Sequence, residues 1–317
     1  MNEVSETSPD IVLRTPDERF SGLPGYGFAP HYVELAGSPP VRMHYVDEGP
    51  RDGRPVLLLH GEPTWSYLYR KMIPQLAAAG MRAIAPDLIG VGRSDKLARR
   101  ASYTYAGHVA WLQAFVRAID LQGAVLFVQD WGGLLGLRLL AQDSARFSAV
   151  VAANTFLPTG DDPPSPAFYI WRQMSQVMDP LLCSRIVAGT CVTKPTPAEA
   201  AGYDAPFPGE PYLAAARDFP MLVPDAPDNV ASAPNRAAWA ALATFEKPFF
   251  TAFSDGDPVT RGLERVFHAR VPGAAGRAHV TVRGAGHFLQ EEKPDELVAV
   301  ILASAQAVRS THAEVAR

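Results

Sequence analysis

Phe127-Val128-Gln129-Asp130-Trp131-Gly132-Gly133 is the stretch on which the reading of this chain turns. The apolar run Ala124–Gln129 reads as a buried strand and Gly133–Gln142 as a helix, so Asp130 stands in the tight turn between them. This is the form of a nucleophile elbow, in which small residues after the nucleophile let the helix pass close by. An aspartate occupies the position that a serine usually takes. Taken alone, the same residues also fit an Asp N-cap followed by glycines. The helix N-terminus beneath Asp130 favours its ionised form.

Working outward, short runs rich in β-branched residues alternate with segments of helical period. Val41–Val46, Val56–His60, Met81–Ala85, Ala149–Ala153, Pro248–Phe253 and His279–Val282 read as further strands. Ser66–Ala79, Tyr105–Ile119 and Pro294–Val308 read as helices, with Pro294 suited to a first helical position. Such alternation predicts an α/β fold, a mostly parallel sheet covered on both faces. From Leu157 to about Asn235 prolines crowd in, from Pro158 to Pro234, and no strand-like run appears. Short helices and turns are expected there. We therefore expect a core over residues 1–156 and 236–317, with a helical cap over 157–235. An insertion after a core strand is well placed to roof a site at the carboxyl ends of the strands.

The bulk properties set the boundaries of function. The chain has 317 residues, 47% apolar and 20% charged, which suits a globular protein with a sizeable core. Its net charge of −4, without a long like-charge block, gives no basis for binding nucleic acid or an anionic membrane. No apolar run is long enough to span a bilayer. The polar, acidic N-terminus has no signal-peptide pattern. Cys183 and Cys191 are too few for a disulfide framework and are expected as buried free thiols in a reducing cytosol.

Three further motifs sit at strand ends. In His60-Gly61-Glu62-Pro63-Thr64-Trp65 the turn aims the amide N–H of Glu62 inward, where with the N–H of Trp131 it makes a two-donor oxyanion hole. Ser254-Asp255-Gly256-Asp257-Pro258 supplies an acid; Asp257 is favoured, Asp255 reading better as a turn residue. Gly284-Ala285-Gly286-His287-Phe288 supplies the only histidine on a glycine-flanked loop in the right chain position. His31, His44, His108, His268, His279 and His312 read as surface or packing residues, and His60 as fixing its own loop. Nucleophile, acid, histidine is the triad order of α/β-hydrolases.

With these residues in view, the chain resembles the haloalkane dehalogenases, specifically the branch with a glutamate in the oxyanion turn and paired tryptophans. The likeness rests on HGEPTWSYLY (His60–Tyr69), APDLIGVGRSD (Ala85–Asp95), VQDWGG (Val128–Gly133), Asp257-Pro258 and GAGHFLQE (Gly284–Glu291). In the expected cap it rests on NTFLPTG (Asn154–Gly160), FYIWRQ (Phe168–Gln173) and GYDAPFP (Gly202–Pro208). It runs from about Thr15 to the end. HGEPTW together with DWGG is fairly specific, whereas the Asp-x-Gly-Gly elbow is shared with epoxide hydrolases.

The resemblance implies an α/β-hydrolase fold and hydrolysis of haloalkanes to alcohol and halide, with no cofactor and no metal. Asp130 attacks the carbon bearing the halogen, and His287, oriented by Asp257, activates the water that cleaves the ester. A carboxylate suits a saturated carbon because its ester can be hydrolysed, whereas a serine would leave an ether. On this scheme Asp130 must be charged and His287 neutral. Indole N–H is a donor only, which suits a leaving halide; Trp131 is one candidate, and the resemblance implies Trp171 as the second. Trp65, Trp111 and Trp239 read as scaffold. Glu62 is expected to hold the hydrolytic water and assist Trp131, and Phe168, Phe207, Leu222 and Val223 to wall the substrate pocket.

Other readings differ in what they need. An epoxide hydrolase uses the same Asp–His–Asp set with cap tyrosines, for which Tyr169, Tyr203 and Tyr212 are available. A fluoroacetate-type dehalogenase carries arginines after the nucleophile, where Trp131 and glycines stand here. A non-catalytic binding protein on this fold commonly loses a triad member, and none is lost. A cytoplasmic monomer whose partners are a small haloalkane, halide and water completes the expectation.

Overall fold

The computed structural model describes residues 10–315. Eight strands form one sheet: β1 (His31–Leu35), β2 (Val41–Glu48), β3 (Arg54–Leu59), β4 (Met81–Pro86), β5 (Ala124–Gln129), β6 (Phe147–Ala153), β7 (Phe249–Ser254) and β8 (Val280–Val282). Their order is β8-β7-β6-β5-β3-β4-β2-β1. The strands from β8 to β4 run parallel, and β2 pairs antiparallel with both β4 and β1. β1 was not anticipated: His31–Leu35 alternates weakly, with His31, Tyr32 and Val33 half-buried, Glu34 exposed and only Leu35 buried. At the centre, by contrast, every residue of β5 is buried, as a strand covered on both faces requires.

The helices are α1 (Ile73–Ala78), α2 (Tyr105–Ala118), α3 (Trp131–Gln142), α4 (Pro166–Val177), α5 (Cys183–Thr190), α6 (Pro197–Ala201), α7 (Ala214–Leu222), α8 (Ser232–Leu242), α9 (Glu264–Arg270), α10 (Leu289–Glu292) and α11 (Pro294–Val315). α1 and α11 pack together on the sheet, while α2, α3 and α8 form the opposing layer. The helix expected over Ser66–Ala79 is instead a 3₁₀ turn, Ser66–Tyr69, followed by α1. Its break precedes Pro74, which has no N–H to continue the helical ladder.

Between β6 and β7 the described residues contain helices only, as the proline density predicts. The boundary expected at 235 falls inside α8, which packs on α3: Arg138 Nη1 donates to Asn235 Oδ1 at 2.9 Å. α4 starts on a strong local signal, with the Ser165 side chain accepting from the Phe168 amide and Pro166 in the first turn. Its inward residues include Phe168 and Ser175, whereas Ile170, Met174 and Val177 are exposed.

A buried ionic knot ties this helical segment to the sheet. Arg70 donates to both oxygens of Glu291 at 2.6 Å, and the Tyr203 hydroxyl donates to Glu291 Oε2 at 2.6 Å. Lys71 Nζ adds a bond to Glu291 Oε1 at 2.7 Å, and Arg70 also reaches Glu199 at the start of α6. Burial alone would raise the Glu291 carboxyl, but Arg70 and Lys71 hold it below its ordinary range. Removing one side of a buried pair leaves the other charge uncompensated. Glu291→Ala should therefore lower unfolding stability by about 3 kcal/mol, read from the midpoint of urea unfolding; an unchanged midpoint would deny the knot its role.

Candidate active site

Parallel registry carries all four sequence motifs to one edge. Leu59 pairs with Val128, Gln129 with Ala153 and Val282 with Ser254, so the loops after β3, β5, β6, β7 and β8 converge at the carboxyl ends. A ligand site outside those ends is the general rule for open α/β sheets.

Asp130 has φ +49° and ψ −127°, a conformation that costs a non-glycine residue on the order of 1–3 kcal/mol and needs to be held in place. The holding bonds are explicit. Its amide donates to Asn154 O at 3.0 Å, and its carbonyl accepts from the Gly133 amide at 2.8 Å and from Thr155 Oγ1 at 2.8 Å. Close approach makes three glycines obligatory: a Cβ on Gly61 would lie 2.3 Å from Asp130 Cβ, one on Gly132 2.0 Å from Leu59 O, and one on Gly133 1.9 Å from Thr155 Oγ1. The Glu62 amide donates to Asp130 Oδ1 at 2.8 Å, as the turn motif led us to expect.

His287 Nε2 lies 3.4 Å from Asp130 Oδ2, and Nδ1 lies 3.1 Å from Asp257 Oδ1 in a close but bent contact. Asp257 is fully buried and accepts from the Val259 amide at 2.9 Å, the Thr260 amide at 3.2 Å and the Thr260 hydroxyl. Burial would raise its carboxyl, but His287 and Thr260 hold it below the usual range. Asp255 is the turn residue it was read to be, accepting from the Gly284 amide at 2.8 Å. Burial pulls the His287 imidazole down, yet the charges of Asp257 and Asp130 outweigh it and push the group up to about 10. This shift favours the imidazolium while both carboxylates are charged, and the neutral form that the expected scheme needs belongs to the hydrolytic step. Two carboxylates around one ring favour its cationic form.

Glu62 also departs from expectation. Its side chain is directed at Trp171, whose Nε1 donates to Oε2 at 3.1 Å, and its Oε1 is buried without a partner. Burial, and then the charge of Asp130, raise this carboxyl well above its ordinary range. Burial thus disfavours the charged form of this carboxyl beside Asp130, and its contact is with Trp171 instead of Trp131. The Trp131 ring is wedged against Tyr105 at 5.3 Å and Phe219 at 4.9 Å.

These groups border a cavity of about 380 Å³ with a largely apolar wall. Glu62, Asp130, Trp131, Trp171 and His287 all line it, as do Phe168 and Val223. Phe207 and Leu222 do not. Phe207 packs beside Leu181, Leu213 and Ala216, a small satellite cluster under α7, and Leu222 turns to the main core. Trp65 and Trp239 stay in the scaffold, donating to Gly202 O at 3.1 Å and Leu157 O at 2.8 Å. Tyr169, Tyr203 and Tyr212 do not line the cavity.

Two site residues escaped sequence reasoning. Asn154 Nδ2 donates to Ser254 Oγ at 2.9 Å and to the carbonyls of Gly286 and His287 at 3.0 Å, stitching three loops together. Gln129 Nε2 lies 3.2 Å from both His287 O and His287 Nε2. A polar side chain closing an otherwise apolar strand, as Gln129 and Asn154 do, is the signal that was available. His44 and His108 are buried, His44 Nδ1 lying 2.8 Å from Asp87 Oδ2 beneath the oxyanion turn. His60 does fix its loop, its Nε2 accepting from the Leu88 amide at 3.0 Å.

A family model described as the alpha/beta hydrolase fold matches residues 54–294. The haloalkane dehalogenase of Psychrobacter cryohalolentis is 52% identical over 293 residues, 92% of this chain and 97% of that protein. That of Mycobacterium marinum is also 52% identical, over 92% of this chain and 98% of its own. Among solved structures, the tetrameric haloalkane dehalogenase DpaA of Paraglaciecola agarilytica NO2 superposes with a TM-score of 0.87 at 36% identity, covering 93% of this chain and 98% of that one.

Gly61→Ala tests the packing on which the site depends. The added methyl must displace the Asp130 side chain, and a shift of about 1 Å in a reacting group costs roughly 100-fold in rate. We expect a fall of that order in kcat/KM with little change in thermal unfolding; full activity would show that Asp130 has slack.

Proposed function

The chain belongs to the haloalkane dehalogenases, enzymes of the α/β-hydrolase fold that hydrolyse carbon–halogen bonds, and from that premise we propose that Asp130 is the nucleophile, His287 the base and Asp257 its orienting acid. The observation that carries the assignment is the bridge of His287 between Asp130, at 3.4 Å, and Asp257, at 3.1 Å, on the wall of an apolar cavity.

Asp130 Oδ2 attacks the carbon bearing the halogen from the side opposite the leaving group, forming the carbon–oxygen bond of an ester as the carbon–halogen electron pair departs with the halide. Trp131 and Trp171 receive the anion through their indole N–H groups. Trp171 exchanges its bond to Glu62 for one to halide, and a neutral Glu62 does not repel the ion as a carboxylate would. Alkylation removes the negative charge of Asp130, and with it part of the field that keeps His287 protonated. The imidazole releases its proton to solvent, and as a neutral base it takes one from the water that attacks the ester carbonyl; as the adduct collapses, the ester carbon–oxygen bond breaks, the alcohol leaves with the proton of the added hydroxyl, and Asp130 returns as a carboxylate. The amides of Glu62 and Trp131 stabilise the oxyanion in this second step. Since the base acts only when neutral, ester hydrolysis is present above the imidazole's pKa in the ester state and lost below it.

The helical segment between β6 and β7 serves as the cap over this cavity, with α4 and α5 contributing Trp171 and Thr190 to its wall. No helix among the described residues is long and apolar enough to cross a membrane. The free, buried thiols of Cys183 and Cys191 support a cytoplasmic setting. The monomer expected from the sequence does not fit the tetrameric Paraglaciecola relative, and sedimentation velocity distinguishes the two states.

1-Bromobutane should release bromide and butanol without an added cofactor. His287→Phe should retain the first step and stop at the second, so that intact-mass spectrometry shows one alkyl adduct, localised to Asp130; a variant with no adduct would end the covalent scheme. Bromide should quench tryptophan emission in the parent protein. Trp171→Phe should weaken bromide affinity by about tenfold, the loss of one charge-assisted bond, and an unchanged affinity would assign the second donor elsewhere.

A further inference from the structure

A second cavity of about 380 Å³ lies beside the first, bounded by the loop after β6, the start of α4, α8, α9 and the loop after β7. Trp239, Leu263 and Phe267 form its apolar interior. At its rim stand Arg261 and Arg270, both exposed, and neither faces a carboxylate in an ion pair among the described residues. Arg261 Nη1 donates only to the backbone, to Asp255 O at 3.1 Å, and the Arg270 guanidinium lies 4.7 Å over the Trp239 ring. The acidic groups in the lining are Asp162, exposed, and Asp257, which is buried and already committed to Val259 and Thr260. The volume falls within the range of small-molecule sites, and its chemistry is that of a slot with an apolar interior, a mixed polar wall that includes Thr159 and Ser165, and a cationic mouth.

We propose that this cavity binds a small amphiphilic carboxylate, its tail against Trp239 and Phe267 and its head group held by Arg261 and Arg270. Two planar guanidinium groups at an apolar slot match a carboxylate in both geometry and charge. The site is not isolated from catalysis. Phe156, Phe168, Pro258 and Val259 face both cavities, and Arg261 belongs to the loop that carries Asp257. An occupant that grips Arg261 and presses on Pro258 acts on the loop that orients His287, so it alters turnover without occupying the substrate cavity. A ligand shifts such an equilibrium only through differential contact with the two arrangements, and the shared wall supplies that contact.

Calorimetry on the full chain, with octanoate as probe and octan-1-ol as its uncharged counterpart, reads binding without any turnover and so stands apart from the assignment of Asp130. Octanoate should bind saturably, and octan-1-ol should bind about tenfold more weakly for want of the charge-assisted bonds. The double variant Arg261→Gln, Arg270→Gln and, separately, Val266→Glu at the rim should each weaken octanoate by about tenfold or more. In bromide-release assays with 1-bromobutane, octanoate should change kcat at saturating substrate in the parent protein and not in these variants. The proposal is overturned by absence of saturation in the millimolar range, by equal affinity of octanoate and octan-1-ol, by undiminished binding in both variants, or by purely competitive inhibition.

Discussion

One imidazole stands between two carboxylates: His287 lies 3.4 Å from Asp130 and 3.1 Å from Asp257, with Glu62 buried alongside. The environment pushes these groups in different directions. His287 and Thr260 hold the Asp257 carboxyl below its usual range, the two carboxylates push the His287 imidazole up, and burial and Asp130 raise the Glu62 carboxyl. On the proposed scheme, alkylation of Asp130 removes one of these charges, and the order of the chemical steps follows from electrostatics, since His287 becomes available as a base only after Asp130 has reacted.

Maintaining the arrangement requires rigidity that the local chain does not provide. Asp130 has a positive φ, and hydrogen bonds to α3 and to the loop after β6 hold it there. The glycines around it are steric necessities, since a methyl at Gly61 would meet the Asp130 side chain and one at Gly132 would meet the backbone of β3. Asn154 extends the same control to the base, joining the carbonyls of Gly286 and His287 to β7. On the far side of the site, the knot of Arg70, Lys71, Tyr203 and Glu291 fixes the helical segment that brings Trp171 over the cavity. Each of these contacts joins residues far apart in the chain, so the site is a property of the assembled sheet and its cover.

Much of this was legible before any coordinates. The parallel sheet was readable because buried strands announce themselves as short β-branched runs, and Asp130, Asp257 and His287 stood out as candidates because each sits in a turn motif at a strand end. The edge strand His31–Leu35 was not, because a half-solvated strand has no strong apolar signature. Phe207 and Leu222 were misplaced for a related reason: helical period identifies a buried face but not which cluster that face joins, and these two turn to packing away from the cavity.

The amino-acid sequence by itself determined the fold class, the family and the chain order of Asp130, Asp257 and His287, all of which reside in local residue patterns. Only the tertiary structure decided the directions in which His287 and Glu62 are shifted, the partner of Trp171, the contacts of Gln129 and Asn154, and the presence of a second cavity. Those properties depend on contacts between segments far apart in the chain, 158 positions in the case of Gln129 and His287. A pKa responds to the charges and burial around it, and no local pattern along the chain encodes what the folded sheet places there.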